Sequence, residues 1–272
     1  MSRLFSVPEG SGKTLKMVKK LAKNDFKTKF AGSYLGIMWA FVQPVVTVLV
    51  YWFVFEIGFR NPDGNSTLAV PFLLYLVAGI VPWFFFQDSL TGGTNSMLEY
   101  SYLVKKVVFQ INVLPVVKII SAMYVHTFFV CFTILLYALY GHFPDLYYIQ
   151  VFYYTGGLAL LVLGLSYVTS AVVVFFRDLS QIIGIALQVG VWVTPIMWIA
   201  EDRLGSHRII WRILKLNPVY YVVTGYRDAF VNKHWFWERP LWTLYFWCFT
   251  VGMLVFGRWV FGRLRVHFAD VL

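Results

Sequence analysis

Charged residues are scarce in this sequence of 272 residues, where they make up 13% of the total and the mean hydropathy is +0.68. A soluble domain of this length carries about 25% charged residues. The deficit falls in several separate apolar runs, and hydrophobic residues reach 59%. The composition therefore excludes an ordinary soluble domain and predicts an all-α protein that crosses a membrane several times.

Cysteine is also rare, with only Cys131 and Cys248, and both fall inside apolar runs. A disulfide framework or a cysteine metal site is therefore not expected. No metal-ligand spacing and no nucleophile–base arrangement is visible, so we expect no metal and no catalytic residue on this chain. The run Gly10-Ser11-Gly12-Lys13-Thr14 resembles part of a phosphate-binding loop. However, Val7 stands where that loop requires glycine and no strand precedes it, so we interpret the run as a flexible lead into a helix.

Acidic residues are outnumbered by basic ones, 13 to 23. A basic excess can indicate nucleic acid binding, but in a membrane protein it is typical of cytoplasmic segments, and we expect no nucleic acid partner. Residues 14–30 alternate apolar residues with lysines at helical spacing, which predicts a basic amphipathic helix at the membrane surface or against a partner protein. The basic residues before the first apolar run place the N-terminus in the cytoplasm without a cleavable signal peptide.

Six spans are predicted, near 34–58, 70–86, 115–140, 147–175, 182–199 and 241–261, within one transmembrane domain that covers residues 1–272. With the N-terminus inside, Lys105, Lys106 and Arg177 also fall in the cytoplasm, as does the basic C-terminal end. The pattern predicts a multi-pass plasma membrane protein with both termini cytoplasmic. The fifth span, 182–199, barely covers a hydrocarbon core of roughly 30 Å.

Two connections between the spans have helical patterns of their own. Residues 99–112 form a cytoplasmic, amphipathic, helix-like segment. Residues 201–239 form an outer block in which Asn217 is a helix cap and Pro218 the first helical position. The apolar stripe of the helix that follows must be buried, either in the outer leaflet or against the spans, and we expect a pair of short helices here.

Ionisable residues inside the spans are few and look scattered: Glu56, Asp88, Lys118 and His126. A proton or ion relay needs paired, clustered charges, so an ion-coupled mechanism is disfavoured, and His126 is interpreted as a packed residue. The pair Arg177-Asp178 lies between the fourth and fifth spans. We expect it to form an interfacial ion pair that fixes a tight turn, with a role in coupling to a partner as the alternative.

Two polar stripes run along the first and fifth spans. Helical spacing aligns Gly36, Gln43, Thr47 and Tyr51 in the first, and in the fifth it aligns Gln181, Gly184, Gln188, Trp192 and Pro195. Membrane bundles use small and polar residues for helix packing, so the stripes can be packing surfaces. They can equally line a pathway for a polar substrate, with aromatic faces for sugar rings and amides for hydroxyls or phosphates.

The combination of these motifs resembles the type-2 ATP-binding-cassette exporter permeases that move lipid-linked polysaccharides. The resemblance covers nearly the whole chain. It is carried by Tyr34-Leu35-Gly36-Ile37-Met38-Trp39 with Gln43-Pro44, by Phe175-Phe176-Arg177-Asp178-Leu179 with Thr194-Pro195, and by Leu216-Asn217-Pro218 with Tyr226-Arg227.

The resemblance implies half of a transporter. Two copies would form a homodimer, and each would bind one of two copies of a separate ATPase that holds the ATP and Mg, with no cofactor on this chain. The segment 99–112 would be the coupling helix, and the expected contacts to the ATPase are Tyr100, Tyr102, Lys105 and Lys106. The first and fifth spans would border a lateral gate for the lipid-linked substrate, lined by Trp39, Gln43, Thr47, Tyr51, Gln188 and Trp192. The cytoplasmic junction would be Arg177 and Asp178, and the outer gate Asn217, Pro218, Tyr226, Arg227 and Asp228.

Within the family, three further runs look most like the wall teichoic acid permeases of Gram-positive bacteria. They are residues 51–55, 70–72 and 78–85. The expected substrate is then an undecaprenyl-diphosphate-linked teichoic acid, with O-antigen or capsular polysaccharide as the alternative. More distant alternatives are an ion-coupled flippase and a membrane glycosyl- or phosphotransferase.

Overall fold

The computed structural model describes residues 11–29, 32–58, 70–104, 110–198 and 208–271. Every regular element among these residues is helical, which confirms the all-α prediction. Apolar runs of this length can satisfy their backbone hydrogen bonds inside a bilayer only as helices or closed barrels, so the composition and the fold agree.

Eleven α-helices follow one another in the described residues. They are α1 (Ser11–Thr28), α2 (Trp39–Trp52), α3 (Phe72–Glu99), α4 (Ser101–Val104), α5 (Leu114–Leu139), α6 (Gln150–Val173), α7 (Leu179–Val193), α8 (Arg208–Lys215), α9 (Pro218–Arg227), α10 (Pro240–Leu264) and α11 (Phe268–Val271). Two π-helical segments, Phe53–Gly58 and Asp228–Asn232, continue α2 and α9. Short 3-10 turns, such as Ile111–Val113 and Leu146–Ile149, lead into α5 and α6.

Five helical segments of the described chain are long and apolar enough to cross a membrane: Gly36–Gly58, Phe72–Glu99, Ile111–Leu139, Leu146–Val173 and Pro240–His267. The fifth predicted span is different, because α7 has only 15 residues and ends at Val193. At about 1.5 Å per residue this is roughly 22 Å, less than a hydrocarbon core of about 30 Å. Thr194 is extended (φ −72°, ψ 126°), as expected of a residue that precedes proline. Six full spans are therefore not confirmed.

Helix α3 lies at the centre of the bundle. Most of its side chains are buried, with Leu74, Leu76 and Ile80 fully so, and α2, α5, α6, α7 and α9 all pack on it. Helices α6 and α10 cross closely at two glycines, since a Cβ on Gly257 would lie 2.3 Å from the carbonyl oxygen of Gly164. Small residues permit such close approach of membrane helices.

The bundle has two ends, named here by the helix that each contains. The α1 end holds α1, the last turns of α3 and the first turns of α5, together with the C-terminal ends of α6 and α10. The α9 end holds α9, the first turns of α3 and the last turns of α5. This placement decides which predicted residues can meet.

The predicted amphipathic helix is present as α1, and its neighbour is the chain itself. Val18 and Ala22 are buried against Val117 of α5, whereas Leu15 of the predicted apolar stripe is 55% exposed. Phe30, the predicted end of the helix, lies outside the described residues. Part of the apolar face thus packs on α5.

The boundary between the second predicted span and the connection after it lies later in the chain than predicted. Helix α3 continues beyond residue 86 to Glu99, and it is interrupted at Tyr100 (φ −104°, ψ 27°) before the four residues of α4. Gln110 is also not helical. The described part of the segment 99–112 is therefore not one continuous helix. The interruption coincides with a hydrogen bond from the Tyr100 hydroxyl to Oδ1 of Asp25 on α1, 2.7 Å long.

Candidate functional site

The two polar stripes lie on exposed faces of α2 and α7. Gln43 and Gln188 are exposed, and Trp39 and Trp192 are 43% and 54% exposed. Thr47 donates from its hydroxyl to the carbonyl oxygen of Gln43 (3.0 Å), a bond within its own helix. The two glutamines and the two tryptophans are therefore open in the single chain, whereas Tyr51 packs on the core and Pro195 is buried.

Tyr51 and Trp192 bring the two stripes together. Their rings meet edge to face with centroids 6.2 Å apart, a favourable geometry for aromatic pairs. Both helices rest on α3, and a Cβ on Gly190 of α7 would come within 2.8 Å of the Trp83 ring. The result is one open surface, called here the α2–α7 face, which presents amides and aromatic rings side by side.

The predicted outer helix is present as α9, with the predicted cap. Asn217 accepts from the backbone N–H of Val219 (3.0 Å), and Pro218 is the first helical residue. The predicted apolar stripe is buried against α3 and α6, with every member at most 4% exposed: Val219, Val222, Val223, Tyr226 and Phe230. The sequence left open whether this stripe is buried in the outer leaflet or against the spans, and in the structure it is buried against the spans.

Arg227 is the most tightly held charged residue in this region. It is 4% exposed, and it donates from Nη1 to the carbonyl oxygen of Pro195 and from Nη2 to that of Ile196, both at 2.6 Å. Its guanidinium lies 3.7 Å from the centroid of the Tyr75 ring. A Cβ on Gly79 would lie 2.8 Å from Nη2, so only glycine leaves room there.

Both ends of α9 therefore hold the short non-helical segment, residues 194–198, that follows α7. At the N-terminal end, Asn217 donates from Nδ2 to the hydroxyl of buried Thr194 (3.0 Å), and at the C-terminal end Arg227 binds the next two carbonyls. Buried backbone carbonyls outside a helix need such partners. The arrangement, called here the α9 clamp, fixes the position at which α7 ends.

Asp228 and Tyr226, two residues of the predicted outer gate, are buried as well. Asp228 is 4% exposed and forms an ion pair with Arg239, with Oδ2 and Nη1 2.9 Å apart. The Tyr226 hydroxyl contacts Thr155 and lies 2.9 Å from Nε2 of His126. His126 is 4% exposed and packs on Phe85. The interpretation of His126 as a packed residue is confirmed.

Two of the ionisable residues that look scattered in the sequence, Asp88 and Lys118, are paired at the α1 end. Lys118 contacts both Asp25 and Glu99, and Lys29 contacts Asp88. The pairs join residues that are distant in sequence, so periodicity gives no sign of them. Among the described residues, no group of three metal-ligating side chains could hold a metal ion.

The predicted coupling residues divide into three groups. Tyr102 is 59% exposed on α4, while Tyr100 is half-buried and bonded to Asp25. Burial and the adjacent carboxylate of Asp25 raise the pKa of Tyr100 above its usual value, so its hydroxyl remains a donor at neutral pH. Lys105 and Lys106 lie outside the described residues.

At the junction of α6 and α7 the tight turn is present but the predicted ion pair is not. Arg177 and Asp178 are both exposed, and within the described chain their side chains form no ion pair with each other. The turn is held by the backbone, since the N–H of Ser180 and of Gln181 donate to the carbonyls of Arg177 and Asp178. Water solvates both charges here, which leaves little energy to be gained from pairing them.

Comparison with known proteins gives a consistent match. The sequence profile described as ABC-2 type transporter matches residues 17–231. The chain is 26% identical over 256 residues to the O-antigen export system permease protein RfbA of Klebsiella pneumoniae, covering 93% of both chains. It is 27% identical over 252 residues to the O-antigen export system permease protein RfbA of Myxococcus xanthus, covering 92% of this chain and 93% of the relative.

Proposed function

From the membership of this chain in the ABC-2 type transporter family, we propose that it is the membrane-spanning subunit of an ATP-driven exporter of a lipid-linked polysaccharide. The ATP and Mg would be held by a separate ATPase, in two copies, and two copies of this chain would form the pathway. The subunit itself would carry no catalytic residue.

The observation that carries this proposal is the α2–α7 face. On this face Gln43, Gln188 and Trp192 are all exposed, and amides that faced only hydrocarbon would lack hydrogen-bond partners at a cost in free energy. Amides donate to and accept from hydroxyl and phosphate groups, and ring faces cover the apolar faces of sugars. In a homodimer, two such faces would enclose a route for a polar polymer.

Among polysaccharides, the O-antigen class has the stronger support. Both relatives named above are O-antigen export permeases and match over nearly their whole length. Wall teichoic acid remains the second candidate, and it rests on the residue runs 51–55, 70–72 and 78–85. Both polymers would be carried on a polyprenyl diphosphate such as undecaprenyl diphosphate, and the teichoic acid would imply a Gram-positive source.

The two ends of the bundle would then have different duties in the plasma membrane. The lysines of α1 favour a cytoplasmic location for the α1 end, and both termini would then be cytoplasmic. There, the segment after α3, from Tyr100 to Lys106, would seat in the ATPase. The α9 end would face outward, and α9 would act as a gate by holding or releasing the end of α7.

The α2–α7 face can be tested by removing its polar and aromatic groups. Gln43→Leu or Trp192→Ala should weaken stimulation of ATP hydrolysis by a lipid-linked polysaccharide and leave the unstimulated rate in place. An aromatic contact contributes about 0.5–1.5 kcal/mol, and about 1.4 kcal/mol corresponds to a tenfold change in affinity. The measurement is the half-maximal substrate concentration for the permease–ATPase complex in lipid nanodiscs.

Trp259→Ala is the matched control, because Trp259 on α10 is 55% exposed, close to the 54% of Trp192. The control should leave the substrate response unchanged. An equal response in Trp192→Ala and the wild type would mean that the α2–α7 face contacts lipid or the second copy and not the substrate.

A further inference from the structure

A group of charged side chains at the α1 end joins three elements that are distant in sequence. Asp25 comes from α1, Glu99 and Tyr100 from the end of α3, and Lys118 from α5. Nζ of Lys118 lies 2.6 Å from Oδ1 of Asp25 and also contacts Oε2 of Glu99. The same Asp25 oxygen accepts from the Tyr100 hydroxyl at 2.7 Å. We name these four residues the Lys118 cluster.

Burial divides the Lys118 cluster into a fixed part and an exposed part. The side chains of Lys118 and Asp25 are only 10% and 7% exposed, while that of Glu99 is 50% exposed. Separating the buried pair would leave a charge without its partner away from water, which is strongly unfavourable. The Glu99 contact costs little to break, because water can replace it. Glu99 can therefore leave Lys118 while Asp25 stays.

A second ion pair ties α1 to α3 at another point. Lys29, just beyond the end of α1, contacts Asp88 on α3, three helical turns before Glu99. Between the two attachments lies a polar cleft of ≈ 260 Å³, whose wall includes Thr91, Asn95 and Ser121. The polar lining of this cleft offers other hydrogen-bond partners to Lys118 and Glu99 when their contact breaks.

The Lys118 cluster lies where α3 is interrupted. Helix α3 ends at Glu99, Tyr100 has non-helical dihedrals, and α4 begins at Ser101. A change of direction in the chain between two helices is where a small φ/ψ rotation can tilt the following segment. Since Glu99 and Tyr100 reach Lys118 and Asp25, a tilt of the segment after α3 acts directly on α5 and α1.

We propose that Lys118 is the positioning residue that transmits movement of the segment after α3 to α1 and α5. This inference rests on the proposed function, in which that segment contacts the ATPase. Asp25 keeps α1 attached to α5 through Lys118, and Glu99 engages or releases Lys118 as the segment moves. The α1 helix is then part of the coupling machinery and not only a membrane-surface anchor.

The test uses the complete permease–ATPase complex in lipid vesicles, with Lys118→Met as the main variant. Two quantities are measured: polysaccharide exported per ATP hydrolysed, and the ATP-dependent change in distance between spin labels on α1 and α6. The labels are attached at Lys20→Cys and Phe152→Cys, both exposed positions, with Cys131 and Cys248 replaced by serine. The second readout needs no substrate.

Lys118→Met should lower export per ATP by roughly fivefold or more, the lower range of an allosteric coupling, and abolish the ATP-dependent distance change. Lys118→Arg keeps the charge and should restore both quantities. The matched control is Lys23→Met, which removes an exposed lysine of α1 and should match the wild type. If Lys118→Met does not assemble with the ATPase, Glu99→Gln replaces it and should reduce export per ATP in the same direction.

Wild-type values for both readouts in Lys118→Met, or for export per ATP in an assembled Glu99→Gln, would overturn the inference. The inference would also be overturned if ATP caused no change in the distance between the labels on α1 and α6 in the wild-type complex. If the wild type exports no polysaccharide but ATP still moves α1 and Lys118→Met abolishes that movement, then the proposed substrate is wrong and the role of Lys118 stands.

Discussion

Arg227→Met should destabilise the folded permease by roughly 2–3 kcal/mol, because it leaves two buried carbonyls without donors, each worth about 1–3 kcal/mol. The carbonyls are those of Pro195 and Ile196, which Arg227 contacts at 2.6 Å. The loss is less than the full sum, since removing a buried guanidinium also removes the cost of taking it out of water. The measurement is unfolding of the purified protein in micelles with increasing SDS.

Arg212→Met is the control, because Arg212 is exposed on α8 and its loss changes the net charge equally. It should unfold at the same SDS concentration as the wild type. Arg227→Lys should unfold at an SDS concentration between those of Arg227→Met and the wild type, because a single ammonium cannot reproduce the planar guanidinium that reaches both carbonyls. Equal unfolding of Arg227→Met and the wild type would mean that the α9 clamp does not hold the end of α7.

Reversing both charges of the Lys105-Lys106 pair should abolish coupling to the ATPase. These residues follow α4 in the segment that we propose to seat in the ATPase, where like charges brought together cost several kcal/mol. Lys105→Glu with Lys106→Glu is therefore expected to lower export by roughly tenfold or more, with the permease still inserted in the membrane. Copurification of the ATPase with the permease, together with export in vesicles, measures the effect.

Arg263→Glu with Arg265→Glu makes the same change of charge at the same end of the bundle, at the end of α10 and outside that segment. This control should retain the ATPase and its activity. Normal export by the Lys105–Lys106 variant would show that the coupling segment lies elsewhere, and the assignment of residues 99–112 would have to be abandoned.

Features that depend on neighbouring residues were predictable from the sequence. The start of α9 follows from Asn217-Pro218, since an amide cap and a proline at the first helical position are sufficient to define it. The early end of α7 could have been predicted as well, because Thr194 precedes a proline and such residues avoid the helical region. The predicted span nevertheless continued to residue 199, because it followed the apolar run in order to reach the thickness of a bilayer.

Features that depend on contacts across the bundle were not predictable. Arg227 is separated by 32 residues from Pro195, and Lys118 by 93 from Asp25. Their partners are decided by how α9 and α1 pack, which no periodicity encodes. For that reason Arg227 was expected at an outer gate surface, and Lys118 was grouped with isolated charges. Buried charges in a membrane protein require partners, so each lone charge in the sequence should prompt a search for one.

For the two polar stripes, the sequence predicted which residues share a helix face but not the surroundings of that face. Helical spacing correctly predicted that Gln43 shares a face with Tyr51, and Gln188 with Trp192, but not whether these faces would be covered. In the single chain they are exposed, and Tyr51 meets Trp192. Whether a substrate, lipid or a second copy of the chain covers these faces depends on the assembly, which the sequence pattern does not encode.

ATP-driven export by the purified complex tests the central claim most directly. The permease and its ATPase are reconstituted in vesicles with a labelled lipid-linked polysaccharide, and the label that reaches the opposite side is measured. The account predicts transfer only when both proteins and ATP with Mg are present. Transfer by the permease alone, driven by a proton gradient or accompanied by chemical change of the lipid-linked sugar, would contradict it.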